Sequence, residues 1–294
     1  MNIKPEISVL IPAYNEAEII ADVVSGVRAT MERLNRPYEI LVIDDGSTDE
    51  TALRAQNTGT RVISHPYNIG NGAAVKTGIR QAKGDILVMM DGDGQHNPEC
   101  IAPMLEKIGR YDMVVGARSG DSESHFHRDL ANRLYNLFAS YICKRKIQDL
   151  TSGFRAVKSD IARQFISMLP NSFSYPTTIT MGVIHEGYSL TYVPIKTNRR
   201  VGKSKIRLIA DGSRFLLIIL KIATLLSPMR VFLPVGLAIF LTGVGYGLFR
   251  FFVLGRSYGQ TSAMLITMSI VVFMVGLVSE QVAQLRYDRS KNRD

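Results

Sequence analysis

The stretch Asp85-Ile86-Leu87-Val88-Met89-Met90-Asp91-Gly92-Asp93-Gly94-Gln95-His96 decides how the chain is read. Its first half is nearly all apolar, the pattern of a strand buried on both faces of a sheet. Its second half turns polar at once, with two carboxylates one residue apart among glycines. The same unit recurs towards the N-terminus. Ile7 to Ile11 runs into Pro12-Ala13-Tyr14-Asn15-Glu16, and Glu39 to Ile43 into Asp44-Asp45-Gly46-Ser47. Arg61 to Ser64 is followed by Asn68-Ile69-Gly70-Asn71-Gly72. Helical segments fill the gaps. Ile19, Ile20, Val23, Val24 and Val27 recur at helical spacing within Glu16 to Leu34, Ser47-Thr48-Asp49-Glu50 is a helix start, and Ala73 to Ala82 is a third helix. Asp112 to Gly116 reads as a fifth strand. The alternation predicts an α/β fold, an open, mixed but mostly parallel sheet with helices on both faces.

Ligands of such sheets bind outside the carboxyl ends of the strands, where all four polar clusters fall. Each alone is an ordinary turn, since Asp-Gly and Asn-Gly are common turn dipeptides. Four acidic or glycine-rich turns on one sheet edge point to a site. Asp91 and Asp93 are placed to share a hard divalent cation, with Gln95 offering a further oxygen. Mg²⁺ or Mn²⁺ suits such a set, because these ions take one or two carboxylates together with substrate phosphates and water. A diphosphate held there is neutralised as its bond to a sugar breaks. The Gly70 to Gly72 turn is expected to expose backbone N–H groups to a phosphate. It is neither a P-loop nor a full dinucleotide fingerprint.

The 294 residues carry 35 Lys and Arg against 26 Asp and Glu, and 46% are apolar, which excludes a disordered chain. Cys100 and Cys143 lack metal-ligand spacing and are too few for a disulfide scaffold, so a reduced, cytosolic setting is expected. The charged N-terminus lacks a cleavable signal pattern. The net charge of +9 is unevenly placed: residues 1–195 sum to −2 and residues 196–294 to +11. The basic part is also the apolar part. Val231 to Phe249 and Thr261 to Ser279 are uncharged runs of 19 residues each, joined through Gly255 to Gln260. They predict an antiparallel transmembrane hairpin over about 231–254 and 261–280; the bland alternative is a pair of buried core helices. Arg286, Arg289, Lys291 and Arg293 form a basic tail that would place both chain ends in the cytoplasm, although Arg250 and Arg256 near the outer loop weaken that signal. Pro234 and Gly236, Gly243, Gly245 and Gly247 are tolerated in such helices, and small residues allow close packing and self-association.

Between the two parts, Ile206 to Leu226 is apolar but carries Arg207, Asp211, Arg214 and Lys221 along one helical stripe, as in an interfacial helix. Lys196, Arg199, Arg200, Lys203 and Lys205 precede it, five cations in ten residues. Attraction to anionic lipid accounts for part of that, about 1 kcal/mol per cation. Nucleic acid is excluded as a partner, because the basic residues flank apolar runs and no nucleic-acid-binding motif occurs. The expected organisation is a cytoplasmic domain over 1–204, an interfacial region over 205–228 and the hairpin with its tail over 229–294.

Six motifs in order and register carry a resemblance. They are Pro12 to Glu16, Asp44 to Asp49, Asn68-x-Gly70-x-Gly72-Ala73, Asp91-x-Asp93-x-Gln95-His96, Asp149-Leu150-Thr151-Ser152-Gly153-Phe154-Arg155, and Arg199-x-x-Gly202-x-Ser204-Lys205. Together they resemble a family 2 glycosyltransferase of GT-A fold, and the last two resemble its polyprenyl-phosphate branch. The resemblance implies transfer of one hexose from a UDP- or GDP-sugar to a polyprenyl phosphate at the cytoplasmic membrane face. It implies donor binding by Pro12, Tyr14, Asn15, Glu16, Asp44, Asp45, Gly72 and Asp91, and Mg²⁺ or Mn²⁺ at Asp91, Asp93 and Gln95. It implies an acceptor phosphate gripped by Arg118, Arg133, Arg199 and Lys205, with Asp93, Arg118 and Asp149 at the reacting centre. Asp149 matches a position where relatives with hydroxyl acceptors keep a base; a phosphate acceptor is already anionic, so an orienting role is expected instead. His96 is read as packing or capping beside Asn97-Pro98, which opens a helix. His125 and His127 fall in a polar segment with the composition of a closing loop. Two competitors remain: an idle nucleotide-sugar-binding scaffold, and a processive polysaccharide synthase, whose Gln-x-x-Arg-Trp signature needs a Trp that this chain lacks.

Overall fold

The computed structural model describes residues 4–118, 126–172, 174–197, 208–255 and 257–291. β1 (Ile7–Ala13) leads to α1 (Ile20–Leu34), β2 (Tyr38–Asp44), α2 (Thr51–Asn57), β3 (Arg61–Ser64), α3 (Asn71–Gln81) and β4 (Ile86–Met89). After a 3-10 turn at Pro98–Cys100 come α4 (Ile101–Ile108), β5 (Met113–Arg118), α5 (Phe126–Cys143), β6 (Arg155–Lys158), α6 (Ser159–Gln164), α7 (Tyr175–His185) and β7 (Leu190–Ile195). α8 (Leu208–Leu226), α9 (Met229–Phe252) and α10 (Gln260–Lys291) follow.

All seven strands join one sheet in the order β3-β2-β1-β4-β6-β5-β7. β6 runs antiparallel to β4 and β5, and every other pairing is parallel. The five strands expected from sequence are present. β6 and β7 are additions, and the reason is local: β6 has four residues and two are charged, while β7 contains Pro194, which argues against a strand except at a sheet edge. β7 is at that edge.

Period-2 alternation splits each strand between two cores. Ile7, Val9, Ile11, Ile40, Val42 and Val88 face one layer with α1 and α4. Leu10, Leu41, Ile43, Leu87 and Met89 face the other with α3, α6 and α7. Burial of both strand faces is what makes β4 read as an unbroken apolar run. α1 begins at Ile20 rather than Glu16, because Asn15 takes a left-handed φ of 55° and the N–H groups of Glu16 and Ala17 donate to Thr51 and Asp49 side chains. α5 ends at Cys143, after which Lys144 turns left-handed at φ 51°.

The chain divides into two compact units, Met1–Phe215 and Leu216–Asp294, with the division inside α8. In the second, Met229–Phe252 and Gln260–Leu285 are long and apolar enough to cross a membrane, and only 17% of each apolar window is buried. Core helices of a soluble domain would bury most of that surface, so the bland alternative fails. The small residues of α9 are used inside the hairpin. Gly236, Gly243 and Gly247 are buried, and a Cβ on each would meet Ser269, Leu265 or Tyr258 respectively. Gly245 has open space. The α9 start is capped by Glu280 of α10, whose carboxylate accepts from Met229 N at 3.1 Å.

Candidate active site

The polar clusters converge because the parallel strands end on one edge, and backbone contacts stitch them there. The Pro12 carbonyl accepts from Gly92 N at 3.1 Å and the Ala13 carbonyl from Asp45 N at 2.9 Å. Pro12 itself is buried within β1. Asn15 Oδ1 accepts from Thr48 N at 2.8 Å, and Asn15 N donates to Ser47 Oγ at 2.9 Å, so the β1 and β2 turns are tied together. Asp44 is buried and accepts from Ser47 N at 3.2 Å. Tyr14 and Glu16 are half-buried at the same edge.

Asp45 is 2% exposed, and both its oxygens are engaged within the protein. Ile69 N donates to it at 3.1 Å and Gly70 N at 2.8 Å, while His65 Nδ1 lies 2.7 Å away and holds Thr77 Oγ1 through Nε2 at 2.9 Å. The N–H groups of Ala73 and Ala74 return to the Gly70 carbonyl. The glycines of this turn answer to a neighbouring segment: a Cβ on Gly70 would lie 2.3 Å from the Asn171 carbonyl oxygen, and one on Gly72 would lie 2.1 Å from that of Pro170. Gly70 N is thus taken by Asp45, and glycine is required at both positions by backbone packing. His65 and Thr77 were missed; an isolated His after a strand carries no periodic signal.

The turn after β4 is built differently. Asp91, Asp93 and Gln95 are half-buried, and Asp93 Oδ1 accepts from Gln95 N at 3.1 Å. Asn71 Nδ2 donates to Asp91 Oδ1 at 3.5 Å, and Asn71 Oδ1 is a buried oxygen with no partner among the described residues. Gly153 packs against Asp91, leaving 2.7 Å from a would-be Cβ to Oδ2. Asp91, Asp93 and Gln95 carry side-chain oxygens, the ligand type that fits a hard divalent cation. Among the described residues no three His, Cys, Asp or Glu gather to cage a metal. His96 is buried and stacked on Phe154 with ring centroids 5.0 Å apart, and its backbone pairs with Thr197, a packing position.

The inverted β6 brings the 149–155 segment to this edge, since Arg155 is the register partner of Met89. Arg118, ending β5, forks onto Asp149: Nε donates to Oδ2 at 2.8 Å and Nη2 to Oδ1 at 2.9 Å, with a further contact to Thr151 Oγ1. Burial raises the Asp149 pKa, but the hydrogen bonds and charge of Arg118 outweigh it and hold the carboxyl below the usual range. Asn136 of α5 fixes the same segment, donating to the Gln148 carbonyl at 2.8 Å and accepting from Leu150 N at 3.0 Å. Arg133, exposed and three residues earlier, shares that helix face. Arg199 and Lys205 lie outside the described residues, as do His125, Arg207 and the side chains of His127, Asp211 and Arg214; Lys221 is exposed on α8.

The Glycosyl transferase family 2 model matches residues 8–165, more than half of the chain. The chain belongs to glycosyl transferase family 2. A second model, the GtrB C-terminal hairpin, matches residues 227–285 of this glycosyltransferase. Its relatives include polyprenyl-phosphate glycosyltransferases. It is 25% identical to the dodecaprenyl-phosphate galacturonate synthase of Rhizobium johnstonii, over 98% of this chain and 91% of that one. It is 33% identical to the dolichol-phosphate mannosyltransferase of Pyrococcus furiosus, over 69% of this chain and 59% of that one. The fold matches glucosyl-3-phosphoglycerate synthase of Mycobacterium tuberculosis, solved with Mn²⁺, UDP and phosphoglyceric acid, with a TM-score of 0.61 and 20% identity over 74% of this chain and 78% of that one. The glycosyltransferase thus has a GT-A-like sheet followed by a paired apolar hairpin.

Proposed function

We propose that this glycosyltransferase moves a single hexose from a UDP- or GDP-sugar to the phosphate of a polyprenyl phosphate, inverting the anomeric carbon, at the cytoplasmic face of a membrane. The observation that carries the reading is the presence of two unlike groups on one sheet edge: the acidic turn of Asp91, Asp93 and Gln95, and the Arg118 fork steadied by Asp149. The first suits a nucleoside diphosphate with Mg²⁺ or Mn²⁺, and the second suits a phosphate monoester. The lipid class follows from the relatives, which match both the sheet and the hairpin.

In this reading Tyr14, Glu16 and Asp44 line the nucleoside, with Pro12, Asn15 and Asp45 holding the turns that position them. Asp91, Asp93 and Gln95 would hold a divalent cation, which would supply Lewis-acid neutralisation of the diphosphate. Arg118 receives the acceptor phosphate by exchanging part of its contact with Asp149, joined by the exposed Arg133 and, on sequence alone, by Arg199 and Lys205. No strong base is needed, because the attacking oxygen is already anionic near neutral pH. Asp149, with its lowered pKa, accepts hydrogen bonds and orients Arg118 without taking a proton. The work left to the protein is alignment and charge screening.

The test is transfer of label from UDP- and GDP-hexoses to a polyprenyl phosphate in detergent, with and without chelator. Label entering the lipid fraction only when divalent cation is present is expected. Full activity in excess chelator, or transfer to a water-soluble alcohol in place of lipid, ends the proposal.

A further inference from the structure

Arg155 is the largest fully buried side chain among the described residues, and its surroundings are unusual for a cation. Nη1 donates to the Pro176 carbonyl at 3.0 Å and to Thr180 Oγ1 at 3.1 Å, and Nη2 contacts the Ser152 carbonyl. Nε has no partner among the described residues. The guanidinium lies 5.9 Å from the centroid of the Tyr175 ring. Every acceptor is neutral, and no carboxylate pairs with it among the described residues. A buried charge without an ion-pair partner costs several kcal/mol, and an apolar side chain of similar length would fill the same layer without that cost. Violations of this kind concentrate at functional sites.

Two carboxylates, besides Tyr175 and Tyr192, lie within the field of the charge. Arg155 interacts electrostatically with Asp149 and with Asp91, and Gly153 spans the gap, in contact with Asp91 and with its carbonyl 3.4 Å from Tyr175 OH. We propose that Arg155 is an electrostatic positioning residue, whose permanent charge offsets Asp91 and Asp149 so that the site takes a divalent cation together with a nucleoside diphosphate rather than alone. The inference rests on the metal reading above. The sign follows from Coulomb's law. A bare ion of charge +2 is repelled by a fixed cation behind the carboxylates. The Mn²⁺ complex of UDP or GDP, with one net negative charge, is attracted. Removing the charge of Arg155 therefore tightens the first and loosens the second, whereas general damage to the fold loosens both.

The experiment measures Mn²⁺ binding to the purified full chain in detergent, by loss of the free-ion electron paramagnetic resonance signal, without nucleotide and then with UDP or GDP. Arg155→Gln and Arg155→Met remove the charge; Arg155→Lys keeps it and disrupts the fork. Expected is roughly tenfold tighter binding of bare Mn²⁺ in the two neutral variants, with Arg155→Lys close to wild type. Arg155→Gln retains an amide for the Ser152 carbonyl and is the deciding variant if Arg155→Met does not fold. Weaker binding of bare Mn²⁺ in Arg155→Gln, or equal effects of Lys and Gln, overturns the proposal. Asp91→Asn separates the two levels. If it leaves Mn²⁺ binding intact, the metal reading itself fails; if it abolishes binding while the Arg155 variants change nothing, only the inference about Arg155 fails.

Discussion

Two acidic turns of the sheet look interchangeable as sequence and are opposites as structure. Asp44-Asp45-Gly46, after β2, turns inward: Asp45 holds Ile69 N, Gly70 N and His65, and so fastens the neighbouring glycine turn. Asp91-Gly92-Asp93, after β4, keeps half-buried carboxylates beside an unsatisfied Asn71 oxygen. In the proposed function the first pair serves mainly the shape of the site and the second its chemistry. An Asp-rich turn whose oxygens are taken by buried backbone donors from a neighbouring turn is committed to holding that turn in place.

The sharpest break of this comparison is Asp91→Ala or Asp93→Ala. Either should cut transfer by about a thousandfold or more, about 4 kcal/mol in barrier, while unfolding temperature and membrane retention stay at wild type. A large fall in unfolding temperature would erase the distinction between the turns. Asp45→Ala should do the reverse. It strands two buried N–H groups and the His65 ring, so about 2–4 kcal/mol of stability should go, seen as a lower denaturation midpoint. Activity per folded molecule should fall far less than for Asp91. Arg118→Lys keeps the charge and loses the fork; kcat/KM for the lipid should drop about 10- to 100-fold with the donor KM nearly unchanged. Equal losses for donor and acceptor would dissociate Arg118 from the acceptor.

A smaller effect sharpens the account of Asp149. Its pKa in the folded protein lies below the ordinary value of about 4, so the Arg118–Asp149 pair is fully stabilising above that value and is lost as pH falls through the folded pKa. The stability difference between wild type and Asp149→Asn should be constant from pH 7 to pH 5 and shrink only in stronger acid. A difference that already shrinks between pH 6 and pH 5 would mean Asp149 titrates as a base, contrary to its orienting role.

Much of this protein was legible before any coordinates. Four strands with apolar interiors and polar ends, helical spacing between them, and two uncharged runs of membrane length follow from periodicity, because burial on one face or two writes itself directly into residue order. The position of the Asp91–Gln95 turn at a strand end was legible for the same reason. What only the tertiary structure decided depends on residues distant in sequence. The Pro170–Ser172 backbone closes over Gly70 and Gly72. His65 finds Asp45, Arg118 finds Asp149 across 31 positions, and β6 enters the sheet inverted and places a buried Arg155 behind the acidic turn. Local pattern fixes which residues are buried. Which donor meets which acceptor is settled only when the strands are ordered side by side, since hydrogen bonding is short-ranged and directional.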